Sequence, residues 1–188
     1  MSKIRIVLTA LTAILAAHWA AAWTPAYGAS NDEAMVNEPF YTGDSGLWVL
    51  MHDARNDGYQ CSVSFVTTNG TYSIHGPVDP EMAKTGKGTL WFDSPSIPRT
   101  DNSTQRVMLA VHGNGGALNW PALQTTIGNA PHGTFMVAVQ IMSVLKDKAD
   151  MNDLSVSFAG KEVFRAQLVE QQKAYARLSE CMAARSGN

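Results

Sequence analysis

Only two cysteines stand in this 188-residue chain, Cys61 and Cys181, and the patterns around them differ in kind. Cys61 lies in "YQCSVSFVTT" (Tyr59 to Thr68), where Tyr59, Cys61, Val63 and Phe65 share one face and Gln60, Ser62 and Ser64 the other. That period of two is a strand with its cysteine on the core side. Cys181 closes "LVEQQKAYARLSECMAA", in which Leu168, Gln171 or Gln172, Tyr175, Leu178 and Cys181-Met182 recur at helical spacing. In an oxidising compartment two cysteines most simply make one disulfide. The bridge would close a loop of about 120 residues, for which the chain-entropy relation gives about 4–5 kcal/mol before strain is subtracted. Two free thiols, one of them catalytic, is the weaker reading, because no Cys-x-x-Cys spacing is present. The chain is therefore constrained to put a C-terminal helix on the core face of an early strand.

The N-terminus supplies the compartment that a disulfide needs. Lys3 and Arg5 precede the apolar run "IVLTALTAILAA" (Ile6 to Ala17), and small residues follow in "AYGAS" (Ala26 to Ser30). This is the layout of a secretory signal peptide over residues 1–29, cleaved after Gly28 or Ala29. The run is too short for a bilayer span of ~20 residues, and no later stretch is long and apolar enough for one. A periplasmic or secreted protein is the expectation. Formal charge is −2, and removing Lys3 and Arg5 with the leader makes the remainder more acidic. An acidic chain without a basic cluster argues against nucleic acid or an anionic membrane as partner. No cofactor is implied.

Residues 30–45 ("SNDEAMVNEPFYTGDS") read as a polar N-terminal arm, and residues 46–188 as one β-rich domain. Strands are expected at Leu47 to His52, Tyr59 to Thr68, Thr71 to Gly76, Gly88 to Asp93 and in "QRVMLAVHG" (Gln105 to Gly113). Asn56-Asp57-Gly58 and Asn69-Gly70 supply turns, while Pro77 and Pro80 interrupt pairing. A polar loop covers 94–104, and a long Gly/Pro/Asn connection follows Gly113. Thr134 to Met142 reads as a strand buried on both faces. Asp153 to Phe158 and Lys161 to Gln167 read as a hairpin through Ala159-Gly160, followed by a helix at about 168–184. The expected class is mainly β, β-sandwich-like and α+β, with one C-terminal helix packed on the sheet.

Four features invite a chemical reading. "LAVHGNGGALNW" (Leu109 to Trp120) runs a strand into His-Gly-x-Gly-Gly, as in the oxyanion loop of α/β-hydrolases. A Gly-x-Ser-x-Gly nucleophile should follow, and none of Ser143, Ser155, Ser157, Ser179 or Ser186 lies in that frame. A strand ending in a Gly-rich reversal explains the same residues. "TGDSGLW" (Thr42 to Trp48) resembles a protease or esterase nucleophile block, but no His of the mature chain precedes Ser45, and no Asp-x-x-His ends the chain. His52, His75, His112 and His132 are scattered singly, and the calcium-loop start at Asp53 to Gly58 has Arg55 in its third place, so no metal is assigned. Tyr41, Phe40, Tyr72, Trp91 and Trp120 lie near loops or strand ends, where core and interface aromatics look alike. No catalytic residue is assigned. Gly113, Asn114, Gly115, Gly116 and Trp120 remain as a contact loop.

The order of features resembles a known family. A signal peptide precedes a Trp-bearing strand ("GLWVLMH") and a strand carrying the first cysteine ("YQCSVSF"); a strand pair and a helix ending in cysteine close the chain ("DLSVSFAGKEVFRAQLVEQQKAYARLSEC"). This is similar, over roughly residues 46–183, to the invasion-associated locus B proteins of the proteobacterial envelope. The resemblance implies a non-enzymatic β-sandwich-like envelope protein acting by protein–protein contact, in host contact or envelope physiology. It transfers no functional residues. Alternatives are a periplasmic inhibitor or immunity protein that blocks a lysozyme-like or toxin enzyme, and a small envelope hydrolase using His112 or Ser45.

Overall fold

A computed structural model describes residues 35–53, 60–101, 103–113, 116–146 and 152–183. The expected leader and the Asn56-Asp57-Gly58 turn lie outside these residues. In chain order the elements are β1 (Met35–Gly43), β2 (Gly46–Asp53), β3 (Ser62–Thr67), β4 (Gly70–His75), α1 (Pro80–Thr85) and β5 (Lys87–Asp93). There follow β6 (Gln105–Gly113), β7 (Gly116–Thr125), β8 (Thr134–Gln140), α2 (Ile141–Lys146), β9 (Asp153–Phe158), β10 (Lys161–Gln167) and α3 (Gln171–Ala183).

All ten strands form one antiparallel sheet in the order β1-β2-β3-β4-β5-β8-β7-β6-β9-β10. The sheet cannot be flat. β5 and β10 stand five places apart, about 24 Å in a flat sheet at the usual strand spacing. Yet the rings of Phe92 and Phe164 are 5.8 Å apart. The sheet is rolled, so a single surface supplies both walls of the core. Cys61, Val63 and Phe65 point inward as the alternation requires. α3 lies on the inner face against β2 and β3, burying Gln171, Ala174, Tyr175, Leu178 and Cys181. Cys61 and Cys181 form the disulfide, with Cα atoms 6.0 Å apart. The mainly β class and the C-terminal helix on the sheet are thus as expected; a rolled sheet, rather than two, makes the layers.

Three local readings need correction. The polar arm at 30–45 contains β1, an edge strand paired along β2. Its Pro39 hides the pattern, but an edge strand with an irregularity at Pro39/Tyr41 tolerates the missing N–H. Glu38 joins Arg177 of α3 at 2.7 Å, and Phe40 O accepts from Lys173 Nζ at 3.2 Å, so the helix fastens the strand. The connection after Gly113 is largely strand β7, with Pro121 inside it. β7 pairs with β6 along its length, but with β8 only from Leu123 onward. No β8 partner therefore stands opposite the nitrogen of Pro121. β8 is not buried on both faces, since Ala138 is exposed, and its end turns into α2. α2 and α1 meet where the Ile141 N–H donates to Gly86 O at 2.9 Å. Gly86 caps α1 at φ 65°, a left-handed conformation natural to glycine.

The outer face of the mid-sheet is polar yet covered. Ser64 and Ser73 face each other across β3 and β4, and their hydroxyls hydrogen-bond at 2.7 Å. His75, beside them, packs against Trp91 with the rings tilted and 4.5 Å apart, and its Nε2 is closed off without a partner. Burial pushes the imidazole down to about 4. The unfolded chain binds this proton below about 6.5, whereas the folded chain resists it until about 4. Stability is complete above about 6.5 and falls between the two values, by up to about 3 kcal/mol. His75→Phe should flatten this part of the pH–stability curve in urea melts; an unchanged slope would refute the assignment.

Candidate functional site

Chemistry-bearing side chains gather on the outer face where β6, β9 and β10 run together. His112 lies opposite Ser155 across β6 and β9, and Ser155 opposite Arg165 across β9 and β10. One residue row away, Ser157 stands between Ala110 and Glu162. His112, Ser155, Ser157, Glu162 and Arg165, with Gly113 and Asp153, line a shallow open depression of about 380 Å³.

A backbone irregularity builds the charged part of this site. Residues three apart on a regular strand point to opposite faces. The register shift between Glu162 and Phe164 buries Val163 and Phe164 in succession, so Glu162 and Arg165 both face outward. Arg165 Nη2 donates to Glu162 Oε2 at 2.8 Å and Nε donates at 3.1 Å; Asp153 lies 3.5 Å from Nη1. The Arg165 hydrogen bonds hold the Glu162 carboxyl below its ordinary range, helped by Ser155 and His112. The paired carboxylate raises Arg165 in turn. Two carboxylates against one guanidinium leave the depression acidic.

The arrangement does not assemble an acyl-transfer dyad. A triad of the Ser-His-Asp kind needs a serine hydroxyl bonded to a histidine base, which a carboxylate orients. Here no hydrogen bond joins His112 to a serine among the described residues, and the Glu162 carboxylate is engaged by Arg165. Ser45 does not line the depression; it belongs to the turn joining β1 to β2.

Among the described residues no three His, Cys, Asp or Glu side chains cluster in a metal-holding geometry. The nearest approach is His132, whose Nε2 lies 2.8 Å from Asp93 Oδ1. The other Asp93 oxygen accepts from Thr134 Oγ1 at 2.8 Å. His52 meets Glu38 at 3.2 Å, but Arg177 occupies the second carboxylate oxygen.

The predicted contact loop divides. Gly113 ends β6 and Gly116, at φ 108°, begins β7; Asn114 and Gly115 lie outside the described residues. Residues 116–119 are all exposed, so this end of the β6–β7 hairpin projects from the core, with Leu118 at 62 % exposure. Trp120 does not share that role. It faces inward and packs against the core.

Sequence reasoning left out Asp153, Glu162 and Arg165 and discarded Ser155 and Ser157. Their signal was the alternation in "DLSVSF", which puts both serines opposite buried Leu154 and Val156. No family model, no curated protein and no solved structure matches the chain. The fold and site define a mainly β protein with a disulfide-tethered helix, an acidic surface depression and a projecting hairpin.

Proposed function

We propose that the protein is an exported, non-enzymatic envelope protein that acts by protein–protein contact, as its resemblance to the invasion-associated locus B proteins implies. The observation that carries this reading is the outer surface of β6 and β7. Met108 is 58 % and Leu123 40 % exposed there, with Pro121 exposed between them. Apolar side chains gathered on an outer face mark a surface that another molecule covers. The Cys61–Cys181 bridge supports an oxidising compartment, as does the charged, apolar and small-residue order of the first 29 residues. Against a hydrolase stands the engagement of the Glu162 carboxylate by Arg165, which lowers its basicity.

The purified protein should show no turnover of activated esters or peptides above that of its His112→Ala variant. Turnover that disappears on His112→Ala, Ser155→Ala or Ser45→Ala would replace this reading with the hydrolase one.

A further inference from the structure

β6 carries a row of outward residues whose character changes from end to end. Arg106, Met108, Ala110 and His112 alternate with Val107, Leu109 and Val111, of which Leu109 and Val111 are buried. At one end Arg106 is exposed beside Leu123, its cross-strand neighbour. It has no carboxylate partner among the described residues. At the other end His112 borders the acidic depression containing Asp153 and Glu162. Between the two lie Met108 with Pro121, then Ala110 with Asn119 and Ser157. The middle is thus uncharged, apolar at Met108 and Pro121 and small at Ala110 and Ser157, and the ends are opposite in charge.

Such a row is complementary to itself. A two-fold axis through the middle of the row, at Leu109, exchanges its ends. Arg106 and His112 each stand three residues from it, about 10 Å at the usual strand rise. Two copies placed face to face with antiparallel β6 strands then bring each Arg106 over the other's acidic depression. The small side chains at Ala110 and Ser157 permit close approach, and Met108 and Pro121 leave water on both copies. An isologous contact needs only this one patch on each partner.

We propose that this face binds a second copy of the chain, with Arg106 of each copy entering the Asp153/Glu162 depression of the other. The inference rests on the contact reading above and names its partner. The ion pairs set register, and the apolar Met108 and Pro121 supply most of the attraction.

Sedimentation of the purified protein from about 5 to 200 μM tests it, in the range where modest interfaces dissociate. A concentration-dependent dimer is expected, weakened by salt because its charged contacts are solvent-accessible. Arg106→Glu and Asp153→Lys should each weaken dimerisation about tenfold or more. The double variant, which restores opposite charges across the axis, should recover most of the loss. Met108→Asp, at an exposed position, provides a second disruption should either charge variant fold poorly. A protein that stays monomeric throughout, or a dimer indifferent to both Arg106→Glu and Met108→Asp, overturns the proposal. A photocrosslinker at position 108 separates the levels of failure. Adducts to a different protein, lost with Arg106→Glu, overturn the second copy while keeping the contact function; no adduct of either kind removes both.

Discussion

Trp48→Ala is expected to lower the free energy of unfolding by about 3–5 kcal/mol, the range for removing a fully buried large aromatic. Trp48 is 0 % exposed on the inner face of β2. Its ring lies 4.9 Å from that of Phe65 and 6.4 Å from that of Phe40. It also does something no aliphatic residue could. Nε1 donates to Val169 O at 2.6 Å, joining the sheet to the segment that enters α3. Trp48→Phe keeps most of the apolar burial but leaves that carbonyl without its donor, and should cost about 1–2 kcal/mol. Urea titration measures both, provided the m-value stays constant. A loss below about 1 kcal/mol for Trp48→Ala would mean that the helix entry is not packed as described.

The Cys61→Ala/Cys181→Ala double variant should lose about 2–4 kcal/mol, less than the ideal loop-entropy figure. For a domain of this size that is roughly a 5–15 °C drop in melting temperature. Both cysteines are buried, so reductant should act on the native protein only as the C-terminal helix loosens. The bridge stands where two other contacts converge. A Cβ on Gly76 would come within 2.7 Å of Met182 Sδ, and the Gly76 N–H donates to Cys61 O at 2.8 Å. Helix end, strand start and the turn after β4 therefore settle together. If the double variant melts within about 2 °C of the parent, α3 is held by packing alone and the bridge adds little.

Much of this was legible in order along the chain. The alternation at Cys61, Val63 and Phe65, the Ala159-Gly160 hairpin and the stripe of α3 all rest on neighbours a few residues apart, and each forms where the pattern placed it. Ala159 and Gly160 take φ of 50° and 77°, the positive values that turn such a hairpin. Elements whose stability comes from distant partners were misread. β1 looks polar because none of its residues is fully buried, and its fastening by Arg177 lies 139 positions away. β7 looks like a loop because Pro121 is acceptable only where β8 has parted from it.

The candidate site shows the same division. His112 attracted notice for its Gly-rich successors, of which the described Gly113 ends β6 and Gly116 begins β7. What surrounds His112 is set by the pairing of β6 with β9, a register that joins residues more than forty positions apart. Glu162 and Arg165 share a face only because one irregularity in β10 shifts the alternation.

The sequence by itself determined the period and core face of elements such as β3 and α3 and the two cysteines able to meet, since side-chain spacing depends on local geometry alone. The tertiary structure decided the strand order, the roll of the sheet and the meeting of His112 with the charged residues of β10. Those depend on which edges pair and in what register, and many strands of alternating polarity satisfy the same local pattern.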